Sequence, residues 1–168
     1  MSGYTRVELE DWLIQISTLL GDCAPIHAVI GGVAVMHHAR RAYTRDIDFL
    51  VVFATGQKEK LIATAESAGL RVERKSDWQL RVHRQEHYAD IVDAQVPLEI
   101  GAAQMAITVT TSAGTVRIAQ VEYIVALKVL AGRPRDKADI LTIGDEQPDL
   151  DVALVNKLLE PFGEHFER

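Results

Sequence analysis

The sequence predicts an α+β fold: a mixed β-sheet flanked by helices, with a C-terminal helical segment. Three observations predict it. Short β-branched and aromatic runs alternate with helix-period stretches through residue 119, whereas only helical patterns follow from residue 120 onward. No internal repeat, low-complexity tract or domain linker interrupts the chain. Its 168 residues are 48% hydrophobic and 25% charged, which is enough to bury one core without disulfide staples. The division we expect is an α/β core over 1–119 and a helical segment over 120–168 packed on the same domain.

Taken in order, residues 6–20 carry apolar side chains at helical spacing and meet a glycine stop at Gly21, so they predict a first amphipathic helix. His27 to Ile30 is a short apolar run that meets Gly31-Gly32, a strand feeding a tight turn. Val33 to Arg41 reads as a helix. Ile47 to Phe53 is almost continuously β-branched and aromatic, as expected of a strand buried on both faces. Lys58 to Ala68 is helical and closed by Gly69. Leu70–Arg74, Trp78–Arg84 and His87–Val92 read as successive antiparallel strands with polar turns between them. A short helix follows Pro97, and Ile107–Thr111 with Thr115–Ile118 flank a Ser-Ala-Gly turn, a hairpin signal. Val121–Ala131, Pro134–Ile143 and Leu150–Leu159 are three closing helices, punctuated by Pro134 and Pro148.

The composition excludes several classes. One cysteine, Cys23, leaves no disulfide framework and no multi-cysteine metal site. The first eleven residues carry no signal-peptide pattern and no apolar run is long enough to span a membrane, so the expected location is cytoplasmic. A net charge of −6 argues against a protein coated in positive charge. That total divides unevenly. Between Arg40 and Arg84 ten Lys/Arg face six Asp/Glu, a local +4, while the rest of the chain carries −10. The division reads either as segregated surface charge or as a local positive field for a polyanion.

The strongest constellation is Gly31-Gly32 followed by Asp46-Ile47-Asp48. Asp46 and Asp48, at i and i+2 where a strand begins, point to the same face. Two neighbouring carboxylates repel, and burial raises that cost. A divalent cation between them reverses the sign, and oxygen ligands of this kind suit Mg²⁺. The glycines lie between a strand and a helix N-terminus, where free N–H groups and the helix dipole favour a phosphate. A Gly-Gly pair is usually a plain turn and an Asp-x-Asp pair often a cap. The joined pattern is what carries the specificity.

On these residues, Val29–Val52 resembles the signature of the DNA polymerase β-type nucleotidyltransferase superfamily: an apolar residue, Gly, Gly or Ser, a helix, then Asp, an apolar residue, Asp or Glu. Thr44–Val52 together with Leu127–Ile140 (LKVLAGRPRDKADI) looks like the small bacterial AbiEii-like group, which includes nucleotidyltransferase toxins of abortive-infection toxin–antitoxin systems. The resemblance implies a nucleotidyltransferase fold and a third metal-binding carboxylate on a later strand. Asp90 and Asp93 are the candidates, three residues apart and therefore on opposite faces of a strand. Asp90 lies inside the strand pattern and is our choice; Asp93 falls where the strand should end, as a turn residue would.

Lys128 is the one charged residue between Ile124 and Ala131 on a helix otherwise apolar or small, so its ammonium must snorkel or meet an anion. The resemblance implies that this lysine approaches the triphosphate; a structurally paired lysine is the equal alternative. Thr44 and Arg45, just ahead of the carboxylates, are candidates to bind near the metal and the phosphates. The family's Arg two positions before that Thr is Ala42 here, with Arg40 and Arg41 slightly earlier. Arg133, Arg135, Asp136 and Asp139 read as a helix-turn pin before a nucleotide contact. Trp78 with Arg81 and Arg84 reads as cross-strand packing before a base-stacking platform.

The resemblance thus implies metal-dependent transfer of an NMP from an NTP. Asp46, Asp48 and Asp90 would bind two Mg²⁺ ions, Gly31 and Gly32 the β,γ-phosphates, and Thr44, Arg45 and Lys128 the rest of the nucleotide. The acceptor is RNA, tRNA or protein, with an antitoxin as a further partner. The alternatives are a catalytically inactive nucleotide- or partner-binding module and an antibiotic nucleotidyltransferase. For the latter, Asp93, Glu86 and Glu99 would hold a cationic drug.

Overall fold

The protein is described by a computed structural model over residues 6–40, 44 and 46–167. Its elements are α1 (Arg6–Cys23), β1 (His27–Ile30), α2 (Gly31–His38), β2 (Ile47–Val51), α3 (Gln57–Ser67), β3 (Arg71–Ser76), β4 (Gln79–Arg84), β5 (His87–Asp93), α4 (Pro97–Gln104), β6 (Ile107–Thr110), β7 (Thr115–Ile118), α5 (Val121–Ala131), α6 (Pro134–Glu146) and α7 (Val152–Leu159), with a 3₁₀ turn at Glu160–Phe162. Every element expected from the sequence is present, and the boundaries shift by a few residues. The largest shifts have local causes. α1 runs through Gly21 to Cys23, because an exposed glycine weakens a helix without stopping it. α2 starts at Gly31 itself, so the glycine pair is the helix's first turn rather than a loop before it.

The strands form one mixed sheet in the order β3-β4-β5-β2-β1-β7-β6. β2 is central, antiparallel to β1 and parallel to β5; β3, β4 and β5 form an antiparallel meander, and β1 is parallel to β7. β2 is central because its sequence allows it: Ile47, Phe49, Leu50 and Val51 are all buried, and such a run is stable only with helices on both faces.

Which helices cover which face follows from β4. Arg84 donates to Gln15 Oε1 of α1 at 2.9 Å and lies 4.9 Å from the Trp12 ring. Its face is therefore the α1 face, where Trp12, Ile16 and Leu20 are fully buried. α3 packs on α1 and on β3. Arg81, three residues before Arg84, points the other way. On that opposite face α2 packs on β1 and β2, and the α5–α6 pair packs on α2, while α4 joins α5 to the sheet. The C-terminal helices are delimited by local chemistry. Gly132, at φ 62°, ends α5, and the Asp151 carboxylate accepts from Leu154 N–H at 2.9 Å to start α7.

Candidate active site

Five residues form a straight row across the sheet: Glu73 on β3, Arg81 on β4, Asp90 on β5, Asp48 on β2 and Ile30 on β1. Registered neighbours share a face, so Glu73, Arg81, Asp90 and Asp48 all project toward the α2 side. Asp93 is three residues on and lies on the α3 side, where Lys58 Nζ binds it at 2.8 Å. The alternation argument made from sequence therefore puts Asp90, not Asp93, beside Asp48.

The local chain directs each carboxylate. Thr44 is buried, and its hydroxyl accepts from Asp46 N–H at 3.3 Å, fixing the entry into β2. Asp46 stands just before the strand and accepts from the Tyr88 hydroxyl at 3.0 Å. Burial and then that bond raise the affinity of Tyr88 for its proton. Asp90 is held by Arg81 through both oxygens, each at 2.8 Å, and the guanidinium carbon lies 4.0 Å from the Tyr88 ring centre. That fork holds the Arg81 pKa above its ordinary value. The Asp48 side chain makes no hydrogen bond or ion pair among the described residues. Burial first, then the charges of Asp90 and Asp46, push its pKa up to about 6, with Arg133 and Lys128 opposing the rise.

Gly31 closes the site from the β1 side. Its φ is +64°, and a Cβ there would collide with Asp48 Oδ2 and lie 3.2 Å from Asp48 Cγ. Only glycine lets the α2 N-terminus lie directly on that carboxylate. Gly31 is thus brought to the Asp48 end of the row, with Gly32 next to it in the first turn of α2.

Lys128 is buried on α5 with its ammonium 3.0 Å from Asp136 and 2.6 Å from Asp139, both on α6 and both buried. Asp136 is also bound by Arg133, at 2.6 Å and 3.2 Å. Burial pushes the Asp136 pKa up, but the bonds from Arg133 and Lys128 outweigh it and leave the carboxyl below its ordinary range. Lys128 is therefore not open to a ligand as it stands. Arg133, with 73% of its side chain exposed, is the cation of this group that faces outward. Arg41 and Arg45 lie outside the described residues. Of the Trp78–Arg81–Arg84 group only Trp78 is largely exposed; Arg84 packs under α1 and Arg81 is committed to Asp90.

Asp46, Asp48 and Asp90 form a hard oxygen donor set suited to Mg²⁺, and the repulsion that raises the Asp48 pKa is what a bound cation would relieve. As placed, however, no three His, Cys, Asp or Glu side chains among the described residues converge to hold a metal. Two of the three carboxylates are engaged by other side chains: Tyr88 donates to Asp46 and Arg81 to Asp90. Sequence reasoning put Arg81 in a packing or base-stacking group with Trp78 and Arg84 and missed Tyr88, because only the β4–β5 register shows their reach.

Comparison with solved structures follows the same lines. ANT(2″)-Ia, solved with adenylyl-2″-tobramycin, superposes with a TM-score of 0.62 at 18% identity, covering 92% of this chain and 97% of that one. A nucleotidyltransferase-like protein of Paracoccidioides brasiliensis gives 0.62 at 14%, covering 96% and 89%. The lincosamide antibiotic adenylyltransferase LnuA, with lincomycin bound, gives 0.58 at 14%, covering 85% and 98%. This chain has the nucleotidyltransferase fold. No protein-family model and no curated sequence matches it, so the likeness is one of fold. Within that fold the Gly31-Gly32 turn, Asp48 and Asp90 meet at the junction of β1, β2 and β5.

Proposed function

We propose that this nucleotidyltransferase-fold protein transfers the NMP group of an NTP to an acceptor, in a reaction dependent on divalent metal. The observation that carries the reading is the registered Asp48–Asp90 pair with the α2 N-terminus against Asp48. Asp46, Asp48 and Asp90 would be the metal ligands; two Mg²⁺ ions, when bound, supply neutralisation of the triphosphate and acidify the acceptor hydroxyl. The first-turn N–H groups at Gly31 and Gly32 bind the β,γ-phosphates. Asp90 takes the proton from the acceptor hydroxyl. The oxygen attacks the α-phosphorus, the bond to the bridging oxygen breaks, and pyrophosphate leaves. Thr44 positions Asp46, and Arg45 contacts the nucleotide. Lys128 contributes its charge and fixes Asp136, which aims Arg133 outward toward the phosphates. The 1–119 core carries the chemistry, and the 120–168 helices support it.

The basic window between Arg40 and Arg84 supports RNA, tRNA or a protein as acceptor. The AbiEii-like resemblance supports a toxin role with an antitoxin partner in the cytoplasm. No described helix is long and apolar enough to cross a membrane. A second reading, a small cationic acceptor such as an antibiotic, would draw on Asp93 and Glu99, which line a cavity of about 410 Å³ at the end of β5. Asp93 lies on the face opposite Asp48 and Asp90, so this cavity does not by itself bring an acceptor to the candidate metal ligands.

The test is label transfer from each α-labelled NTP with Mg²⁺, offered total tRNA, a protein lysate and a panel of amino-sugars. We expect metal-dependent labelling of one acceptor class, lost in Asp46→Ala/Asp48→Ala. No transfer to any acceptor, with NTP binding undiminished in the double variant, would establish the inactive binding module instead.

A further inference from the structure

We propose that Arg81 is a two-position residue that sets the metal affinity of this site: its fork on Asp90 competes with a cation for that carboxylate, and it must move outward to Glu73 for a cation to be taken up. The inference rests on the reading of Asp46, Asp48 and Asp90 as metal ligands given above.

Arg81 occupies both oxygens of Asp90 at 2.8 Å, the bidentate fork in which guanidinium and carboxylate bind most strongly. A carboxylate so committed has given a lone pair of each oxygen to the guanidinium and has less to offer a cation. The fork is built by the sheet, since Arg81 and Asp90 are direct cross-strand partners. Tyr88 links it to the second carboxylate, with Arg81 over its ring at 4.0 Å and its hydroxyl on Asp46 at 3.0 Å. One guanidinium and one phenol thus engage two of the three candidate ligands and leave Asp48 alone beside them.

The same register supplies the second position. Glu73 is the direct partner of Arg81 on its other side, so both acids flank the guanidinium within one row. The Glu73 carboxylate already collects His83 at 3.0 Å and Lys75 at 3.2 Å. It is also the weaker partner: its side chain is 39% exposed, against 12% for Asp90, and exposure screens an ion pair. Arg81 therefore favours Asp90 over Glu73. A divalent cation competes for Asp90 and gives back the guanidinium, which crosses to Glu73 on the face of β3 and β4 away from α3. Arg81 is a positioning residue acting through Asp90.

The experiment titrates the purified protein with Mn²⁺, followed by its electron paramagnetic resonance signal, with no nucleotide present. Arg81→Gln should bind Mn²⁺ about tenfold more tightly than the parent, the exchange of a charge-assisted fork for a free ligand. Glu73→Gln should bind it more weakly, since the outward position is lost, and the double variant should match Arg81→Gln. Arg81→Lys keeps the charge without the fork and should fall on the tight side; Arg71→Gln, a nearby exposed cation, should leave the affinity unchanged. Thermal melts establish that each variant folds, and Mn²⁺ should raise the melting temperature of Arg81→Gln more than that of the parent. Mn²⁺ binding that is intact but equal in the parent and Arg81→Gln would overturn the proposal. So would matching tight binding by Arg71→Gln, which would reduce it to a general loss of positive charge. No Mn²⁺ binding by either parent or variant would overturn the metal-site reading itself, and this inference with it.

Discussion

Asp48 on β2 stands directly opposite Asp90 on β5 in a parallel register, with Asp46 one pleat away on the same face. Parallel strands of this kind normally carry apolar side chains at such positions, as Ile47, Phe49 and Ile91 do next to them. Two registered carboxylates in a central sheet position raise each other's electrostatic cost. The fold answers it unevenly. Asp90 has a guanidinium, Asp46 a phenol, and Asp48 no hydrogen-bonding side chain, only the backbone of Gly31 against it and the charges of Arg133 and Lys128 acting without contact.

That imbalance gives a pH dependence. The Asp48 pKa rises from 3.8 to about 6 on folding, so its ionised form is disfavoured in the folded state. The penalty is absent below the unfolded pKa, grows as pH rises between the two values, and is complete above about 6. Replacing Asp48 with Asn should therefore stabilise the metal-free protein by up to about 3 kcal/mol at pH 8 and by almost nothing at pH 4. Urea unfolding in EDTA over that range measures it. Equal stability of variant and parent at pH 8 would contradict the assignment.

Gly31→Ala tests the contact between α2 and Asp48. The substitution places a side chain at φ +64° and drives its Cβ into the Asp48 carboxylate. The backbone strain alone costs about 1–2 kcal/mol. We expect a lower melting temperature together with weakened Mn²⁺ and NTP binding, because the carboxylate must move. Gly21→Ala is the control: nothing lies within 4 Å of a Cβ there, and it should stabilise α1 slightly.

Much of this architecture was legible because its signals are local. Hydrophobic runs, glycine stops and proline starts lie within a few residues of the structure they set, so the order of elements could be read directly. Strand alternation alone puts Asp90 and Asp93 on opposite faces, which the register and the Lys58 pair reproduce. What stayed hidden depends on register and packing between distant segments. Arg81 reads as one cation among many until β4 is paired with β5. Lys128, alone on an apolar helix, announced that it needed an anion, but which anion depends on how α6 folds back over α5. The start of α2 was misplaced by two residues because Gly-Gly normally signals a turn, whereas here the left-handed Gly31 opens the helix.

Asp90 and Asp93 separate cleanly by substitution. Asp93→Asn removes one partly exposed pair with Lys58, worth under about 1 kcal/mol, and touches nothing on the α2 face. It should leave metal binding and nucleotidyl transfer within a few-fold of the parent. Asp90→Asn should abolish transfer and free Arg81. Comparable losses in both variants, measured by label transfer and Mn²⁺ titration, would mean that the α3 side of β5 also takes part.

Lys128 joins stability to the site. Its ammonium is buried between Asp136 and Asp139, and Asp136 in turn holds Arg133. Removing the lysine leaves two buried carboxylates with less counter-charge, so Lys128→Met should cost about 3–5 kcal/mol, well beyond the loss of a surface ion pair. Adding Asp139→Asn to that variant removes one stranded charge and should recover part of the loss, whereas Asp139→Asn alone should destabilise. Arg133→Gln gives a different profile: Asp136 keeps its lysine, so the loss of stability is smaller than for Lys128→Met, and NTP affinity falls. A lysine that bound phosphate directly would show the reverse, a small change in melting temperature for Lys128→Met and a large loss of NTP binding. The pair of variants therefore decides whether Lys128 acts on the nucleotide itself or through the arginine it helps to hold.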